Sequence, residues 1–243
     1  MTTKQLFKTI LQADTTITAP VVEELVQWAS QSGQRQRADY LLSKCGRELP
    51  GVISALNGQY PKDIGLLYLV FFNHVVLEPG QAMFIDAGTV HAYLSGDVIE
   101  CMACSANVVR AGFTSKNQDV TTFSSMITYD FTQSKQFLLV PKDYKRSIFN
   151  AVASASNSTC VIYNPPVEEF GVIKTELKGK FATVTFEAIP GPSILICVNG
   201  GGLISVDSGR ETLAVGKVFF VSSNVAYTLE SLQDESCIIF TAL

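Results

Sequence analysis

Between Gly80 and Lys116 the chain reads GQAMFIDAGTVHAYLSGDVIECMACSANVVRAGFTSK, which sets a histidine, a tyrosine, a glutamate, an arginine and a lysine among turn residues and short β-prone runs. His91 is one of only two histidines in 243 residues. A neutral imidazole nitrogen can ligate a transition metal, although one histidine alone is more often a hydrogen-bonded interior residue. Glu100 can hold a metal, pass a proton or sit as a satisfied structural carboxylate. Arg110 offers a planar cationic fork suited to an oxyanion or a phosphate. Lys116 follows a short turn and can meet a phosphate, or be an ordinary solvated lysine. His74 stands near a strand edge and reads as structural.

For these groups to act together, the backbone must turn them to one side. Successive side chains of a strand point to opposite faces. With Gly96-Asp97 as a two-residue hairpin turn, Tyr93 falls opposite Glu100 and His91 opposite Met102. His91, Tyr93 and Glu100 then share a face, the expected interior of a barrel. A three-residue loop would reverse the relation.

The elements around this run divide the chain. Residues 1–65 read as helical. Leu6, Phe7, Ile10 and Leu11 are spaced as one helix face. Thr18 is expected to cap a helix with Pro20 in its first turn and Val22, Leu25, Val26 and Ala29 as its apolar stripe. A second helix is expected over Gln36–Lys44, and a third opening at Pro50 and stopping near Asn57-Gly58. From Leu66 onward, β-branched and aromatic runs alternate with turn signals such as Glu78-Pro79-Gly80, Ser95-Gly96-Asp97 and Asn199-Gly200-Gly201-Gly202, the pattern of an antiparallel sandwich or barrel. Three segments follow: helical residues 1–65, β-rich residues 66–122, and residues 123–243, a less regular connection followed by a second β-barrel.

The two β-segments share an internal repeat. GQAMFIDAGTVHAYL at 80–94 aligns without a gap on GKVFFVSSNVAYTLE at 216–230. Gly80 meets Gly216, Phe84 meets Phe220, and Gly88 meets Asn224, another residue that tolerates left-handed turns. His91 meets Tyr227, so the metal-capable residue is present in the first copy only.

Bulk properties narrow the function classes. Hydrophobic residues make up 47% and charged residues 16%, enough for a substantial core and against disorder. A net charge of -4 with dispersed basic residues argues against a nucleic-acid surface. No apolar run reaches membrane-spanning length, and the start MTTKQLFKTILQA lacks the apolar core of a secretory signal. The six cysteines are scattered, mostly in apolar strand-like contexts, and read as buried free thiols. The lone Cys101/Cys104 pair is weak evidence for zinc or redox chemistry, since a structural zinc site usually needs a second pair.

Gly80-x5-Asp86-x-Gly88-x2-His91 resembles the second sequence motif of cupins, with Asp86 at a position where proline is usual. The longer run HAYLSGDVIECMACSANVVRAGFTSK resembles the signature of type I mannose-6-phosphate isomerases. The resemblance covers essentially the whole chain, with sharp motifs in residues 78–120. It implies cupin jelly-roll barrels, one partial (66–122, the C-terminal half of the catalytic barrel) and one degenerate and C-terminal, preceded by the helical segment. It also implies Zn2+-dependent interconversion of mannose 6-phosphate and fructose 6-phosphate by C1–C2 proton transfer, in the cytoplasm, feeding GDP-mannose metabolism.

By the same resemblance, His91 is a zinc ligand and Arg110 is catalytic. Glu100 is a proton-transfer candidate, Tyr93 lines the active site, and Lys116 contacts the phosphate. Ala106 and Ser115 depart from the family's aspartate and proline, and the first removes a carboxylate beside Arg110. The family's other zinc ligands, in a glutamine–histidine pair and an NHKPE-like segment, have no counterpart here. The expectation is therefore a C-terminal portion of such an enzyme. The alternative is a catalytically inactive cupin with a binding or structural role.

Overall fold

The computed structural model describes residues 2–31, 48–105, 108–129, 137–149 and 158–243. The chain forms two compact units. The first comprises Met1–Glu78, Ile85–Asp97 and Ser105–Phe137; the second comprises Pro79–Phe84, Val98–Cys104 and Leu138–Leu243.

Helices build the first unit. Helix α1 (Thr3–Leu11) opens on a reciprocal cap in which the Thr2 hydroxyl accepts from the Gln5 amide at 3.3 Å and the Gln5 side chain accepts from the Thr2 amide at 2.8 Å. Its Phe7 and Leu11, one turn apart, are buried. Helix α2 (Thr15–Gln31) begins three residues before the expected cap at Thr18. Asp14 is the reason: its carboxylate accepts from both the amide (2.8 Å) and the hydroxyl (2.7 Å) of Thr16, and aspartate outranks threonine as a cap. Pro20 therefore lies inside the helix rather than in its first turn. The helix expected over Gln36–Lys44 lies outside the described residues.

Helix α3 (Leu49–Gln59) carries Pro50 in its first turn, as expected. Helix α4 (Gly65–Tyr68) runs past the point where strands were expected to begin. A short apolar run does not distinguish a buried helical turn from a buried strand. Here Leu66 and Tyr68 each go into a core as parts of a single turn. Helix α5 (Val120–Met126) completes the set among the described residues, its N-terminus capped by Asp119.

Two apolar clusters hold this unit. One gathers Val22, Ala29, Leu49, Ile53, Leu56 and Leu66 from α2, α3 and α4. The other gathers Phe7, Leu11, Tyr68, Ala111 and Ile127, with the Phe7 and Tyr68 rings 5.2 Å apart.

The second unit is the β-structure that the turn spacing predicted. Its first strands are short: β1 (Ala82–Met83) pairs antiparallel with β2 (Leu138–Leu139). The remainder are β3 (Lys142–Asp143), β4 (Ser147–Phe149), β5 (Thr159–Tyr163), β6 (Val172–Leu177), β7 (Thr183–Phe186), β8 (Ser193–Asn199), β9 (Gly201–Val206), β10 (Gly209–Ala214), β11 (Val218–Val221), β12 (Tyr227–Ser231) and β13 (Cys237–Ala242). They form a five-stranded sheet β10-β9-β12-β7-β4 and a six-stranded sheet β11-β8-β13-β6-β5-β3. Partners far apart in sequence, β8 with β13 and β9 with β12, give the jelly-roll pattern. Burial alternates along β6 and β8, so each strand sends every second side chain inward. Ile173, Leu177, Leu195, Leu229 and Ile239 meet there, all at 0% exposure. The chain is thus mainly β, with a helical N-terminal segment.

The sequence repeat is also a backbone repeat. Gly80 and Gly216 both take positive φ (89° and 83°), as do Gly88 and Asn224 (77° and 61°). Gly80 and Gly216 close the turn before the strand, and Gly88 and Asn224 the turn after it, in each copy, which coincidental amphipathic similarity would not produce.

The β-run expected from Leu66 to Val120 is otherwise not formed: among described residues of that span, β1 is the only strand. The hairpin about Gly96-Asp97 accordingly has no ladder. The apolar side chains of its second arm, Val98 and Met102 on one face and Ile99 on the other, are exposed, so no packing favours strand pairing over an irregular path.

Burial pushes the Tyr68 and Tyr227 hydroxyls above their ordinary range, the Asp63 charge adding to the effect at Tyr68, and pushes the Cys237 thiol up to about 12. The unfolded chain therefore loses these protons at lower pH than the folded one. Where the folded state binds more protons, stability falls as pH rises. The melting temperature is expected to be flat between about pH 6 and 8 and to fall progressively from about pH 9 upward. Tyr227→Phe should make that decline shallower, as a pH series of thermal melts would read.

Candidate active site

The segments bearing His91 and Arg110 are each anchored on the helical unit by apolar side chains, on both sides of His91 and just after Arg110. Val90 packs against the cluster of Phe7 and Tyr68, and Leu94 packs against the cluster of Ile53 and Leu66. Between these anchors His91 and Tyr93 are exposed, their rings edge-to-face with centroids 5.8 Å apart. The second segment repeats the scheme. Ala111 is buried in the first cluster, and Phe113 packs on the second.

His91 is held in one tautomer. Its Nδ1 lies 2.9 Å from the Thr89 carbonyl oxygen, which can only accept. Nδ1 must then carry the proton, and in the neutral ring Nε2 is left with a free lone pair, the arrangement that metal-binding histidines use. The Arg110 main chain is fixed by the Asp119 amide, which donates to its carbonyl at 2.9 Å, while the half-buried side chain reaches the Val108 carbonyl at 3.5 Å. Asp119 is itself held: Thr122 donates to its carboxylate from the amide (2.9 Å) and the hydroxyl (2.7 Å), keeping that carboxyl below the usual range.

Lys116 is exposed, its amide donating to the Thr114 hydroxyl at 3.1 Å. Ser115 is exposed beside it, and Ala106 lies outside the described residues. Glu100 is exposed and belongs to the second unit, whereas His91, Tyr93, Arg110 and Lys116 belong to the first. His74 finds a structural partner in Glu48, whose carboxylate is 3.2 Å from its Nδ1. Cys101 is half-buried with its thiol pushed up by burial, and Cys104 is exposed. Cys101 is thus the opposite of an activated thiolate.

His91 presents one suitable nitrogen, but among the described residues no three His, Cys, Asp or Glu side chains gather where they could share a metal ion. A zinc site needs at least three protein ligands, so the described residues alone do not fit one.

Sequence reasoning missed Tyr68 and the four anchors. Tyr68 sat in an apolar run read as the start of strands. A tyrosine in such a run carries a hydroxyl that must find a partner once buried, and that was the available signal. In the second copy of the repeat, Tyr227 takes the place of His91, is buried, and stacks on Phe186 with ring centroids 4.7 Å apart.

Comparison with known proteins extends this reading. Residues 2–72 match the profile of the phosphomannose isomerase type I helical insertion domain, and residues 160–209 match that of the phosphomannose isomerase type I C-terminal domain. The chain is 48% identical over 195 residues to the mannose-6-phosphate isomerase of Aspergillus fumigatus, covering 80% of this chain and 43% of that protein. It is 40% identical over 196 residues to the Saccharomyces cerevisiae mannose-6-phosphate isomerase, covering 80% and 44%. The chain spans less than half the length of these two relatives. Among solved structures, mannose 6-phosphate isomerase from Salmonella typhimurium bound to fructose 6-phosphate and zinc matches with TM-score 0.72 and 23% identity, covering 98% of this chain and 53% of that one. That likeness shows the shared fold. With a helical segment and a C-terminal jelly roll that each match the family in order, the chain belongs to the type I phosphomannose isomerase family.

Proposed function

We propose that this chain serves the aldose–ketose interconversion of mannose 6-phosphate and fructose 6-phosphate. The observation that carries this reading is the 48% identity over 195 residues to a relative named for that activity. The reaction removes a proton from C2 of the aldose, leaves an enediol across C1 and C2, and returns a proton to C1 while the O2 proton passes to O1. Glu100 is the carboxylate proposed to carry the carbon-bound proton. Arg110 would stand against the sugar oxygens where negative charge develops, presenting a planar cationic fork. Tyr93 would line the sugar, and Lys116 would meet the phosphate.

His91, through its free Nε2, would be one nitrogen ligand of the family's zinc. The remaining ligands would come from outside the described residues. In this reading residues 66–122 contribute to the catalytic barrel, and the reaction takes place in the cytoplasm, supplying GDP-mannose metabolism.

A coupled assay that follows fructose 6-phosphate formation by the purified chain tests the proposal. Turnover supports it, and Arg110→Lys is then expected to lower kcat by about 10²-fold, because an ammonium cannot reproduce the planar fork. Undiminished turnover in that variant would remove Arg110 from the chemistry. No turnover, with zinc far below one per chain, would favour a second reading: a non-catalytic cupin with a binding or structural role. That reading is supported by the lack of any three-ligand group among the described residues.

A further inference from the structure

We propose that the helical segment is the platform that sets the reactive side chains, and that Tyr68 is the positioning residue through which it holds Arg110. This rests on the isomerase reading only for its effect on turnover; the tether itself stands on geometry. Tyr68 is 4% exposed, and its hydroxyl donates to the Ala111 carbonyl at 3.3 Å, one residue beyond Arg110. Its ring is fixed by Phe7, and below it α4 touches the same loop directly. A methyl on Gly112 would lie 3.2 Å from the Gly65 Cα and 3.0 Å from Asp63 Oδ1, so the two backbones approach closely with the Asp63 carboxylate against them. Asp63 Oδ1 also accepts from the Gly65 amide at 2.7 Å, which locks the start of α4.

Arg110 is therefore gripped at two successive carbonyls, its own by the Asp119 amide and the next by Tyr68. The His91 segment rests on the same two clusters through Val90 and Leu94. A displacement of α4 would be passed to the Arg110 loop as a rigid step, because packed clusters repack rather than stretch.

Tyr68→Phe removes the hydroxyl and keeps the ring. Amide exchange by NMR on the intact chain should show the Asp119 amide, the other grip on Arg110, exchanging about five- to tenfold faster, with the amides of α3 unchanged. No change at Asp119, or equal acceleration throughout α3, would overturn the positioning role. In the isomerase assay the same variant should lose about tenfold in kcat with KM within twofold, since a misplaced cation costs more in the transition state than in binding. A larger KM with unchanged kcat would also overturn it. If the unsubstituted chain has no turnover while Asp119 responds as expected, the isomerase reading fails for this chain and the tether stands.

Discussion

Gly202→Ala is expected to abolish the folded second unit. Gly202 sits in β9 between two partner strands, paired with Ser231 on one side and Leu213 on the other. A methyl group there would be driven into the Glu230 carbonyl oxygen and would lie 2.9 Å from that carbonyl's carbon and 3.2 Å from the Ser231 Cα. Every obstructing atom belongs to the main chain of β12, so no rotamer change relieves the clash. Relief requires β12 to move away from β9, and β12 is also the partner of β7 within the same sheet.

The cost is expected to be on the order of 4 kcal/mol or more, a large part of the stability of an ordinary domain. Gly209→Ala is the control: Gly209 has an ordinary φ and nothing within 4 Å of the added carbon, so its change should stay within about 0.5 kcal/mol. Urea unfolding followed by circular dichroism separates the two. A cooperative transition in Gly202→Ala at the parental midpoint would show that β9 and β12 are spaced differently.

Much of this architecture was legible in the sequence because it rests on local rules. The glycine-rich turns and alternating strands of residues 161–243 have side-chain periods of two and turn residues with one conformational use, so an antiparallel sandwich or barrel could be read directly, and the resemblance narrowed it to a jelly roll. The repeat could be read for the same reason: Gly88 and Asn224 are among the few residue types that accept positive φ. Residues 66–122 form one strand among those described, because β-propensity describes how a side chain suits a half-buried sheet, and a sheet needs a partner. Val98, Ile99 and Met102 have the composition of a strand but no face to bury. The run from Gly65 to Phe72 was apolar enough for either class, and only tertiary packing decided for a helical turn. At the candidate site, the resemblance singled out His91 and Arg110. The Thr89 carbonyl and the Tyr68 hydroxyl that orient them left no such pattern, since one is main chain and the other belongs to an element 43 residues away from its partner.

Tyr227→Ala is expected to cost the second unit about 3–5 kcal/mol, the usual range for truncating a buried aromatic. Tyr227 is the register partner of Phe186 across β12 and β7, and their rings stack at an interplanar angle of 15°. Tyr144 continues the aromatic layer, 6.0 Å from Phe186. Thermal melts would show a clear fall in midpoint, and a fall of under about 1 kcal/mol would mean that the stack carries little. The functional consequence lies in the repeat. At the position where the first copy exposes an imidazole with one nitrogen free, the second copy turns a phenol inward and fills the interior with it. Tyr227→His is then expected to lose the stack on Phe186 and so cost packing at a buried position. One copy thus leaves its histidine in reach of solvent, while the other places core at the same position.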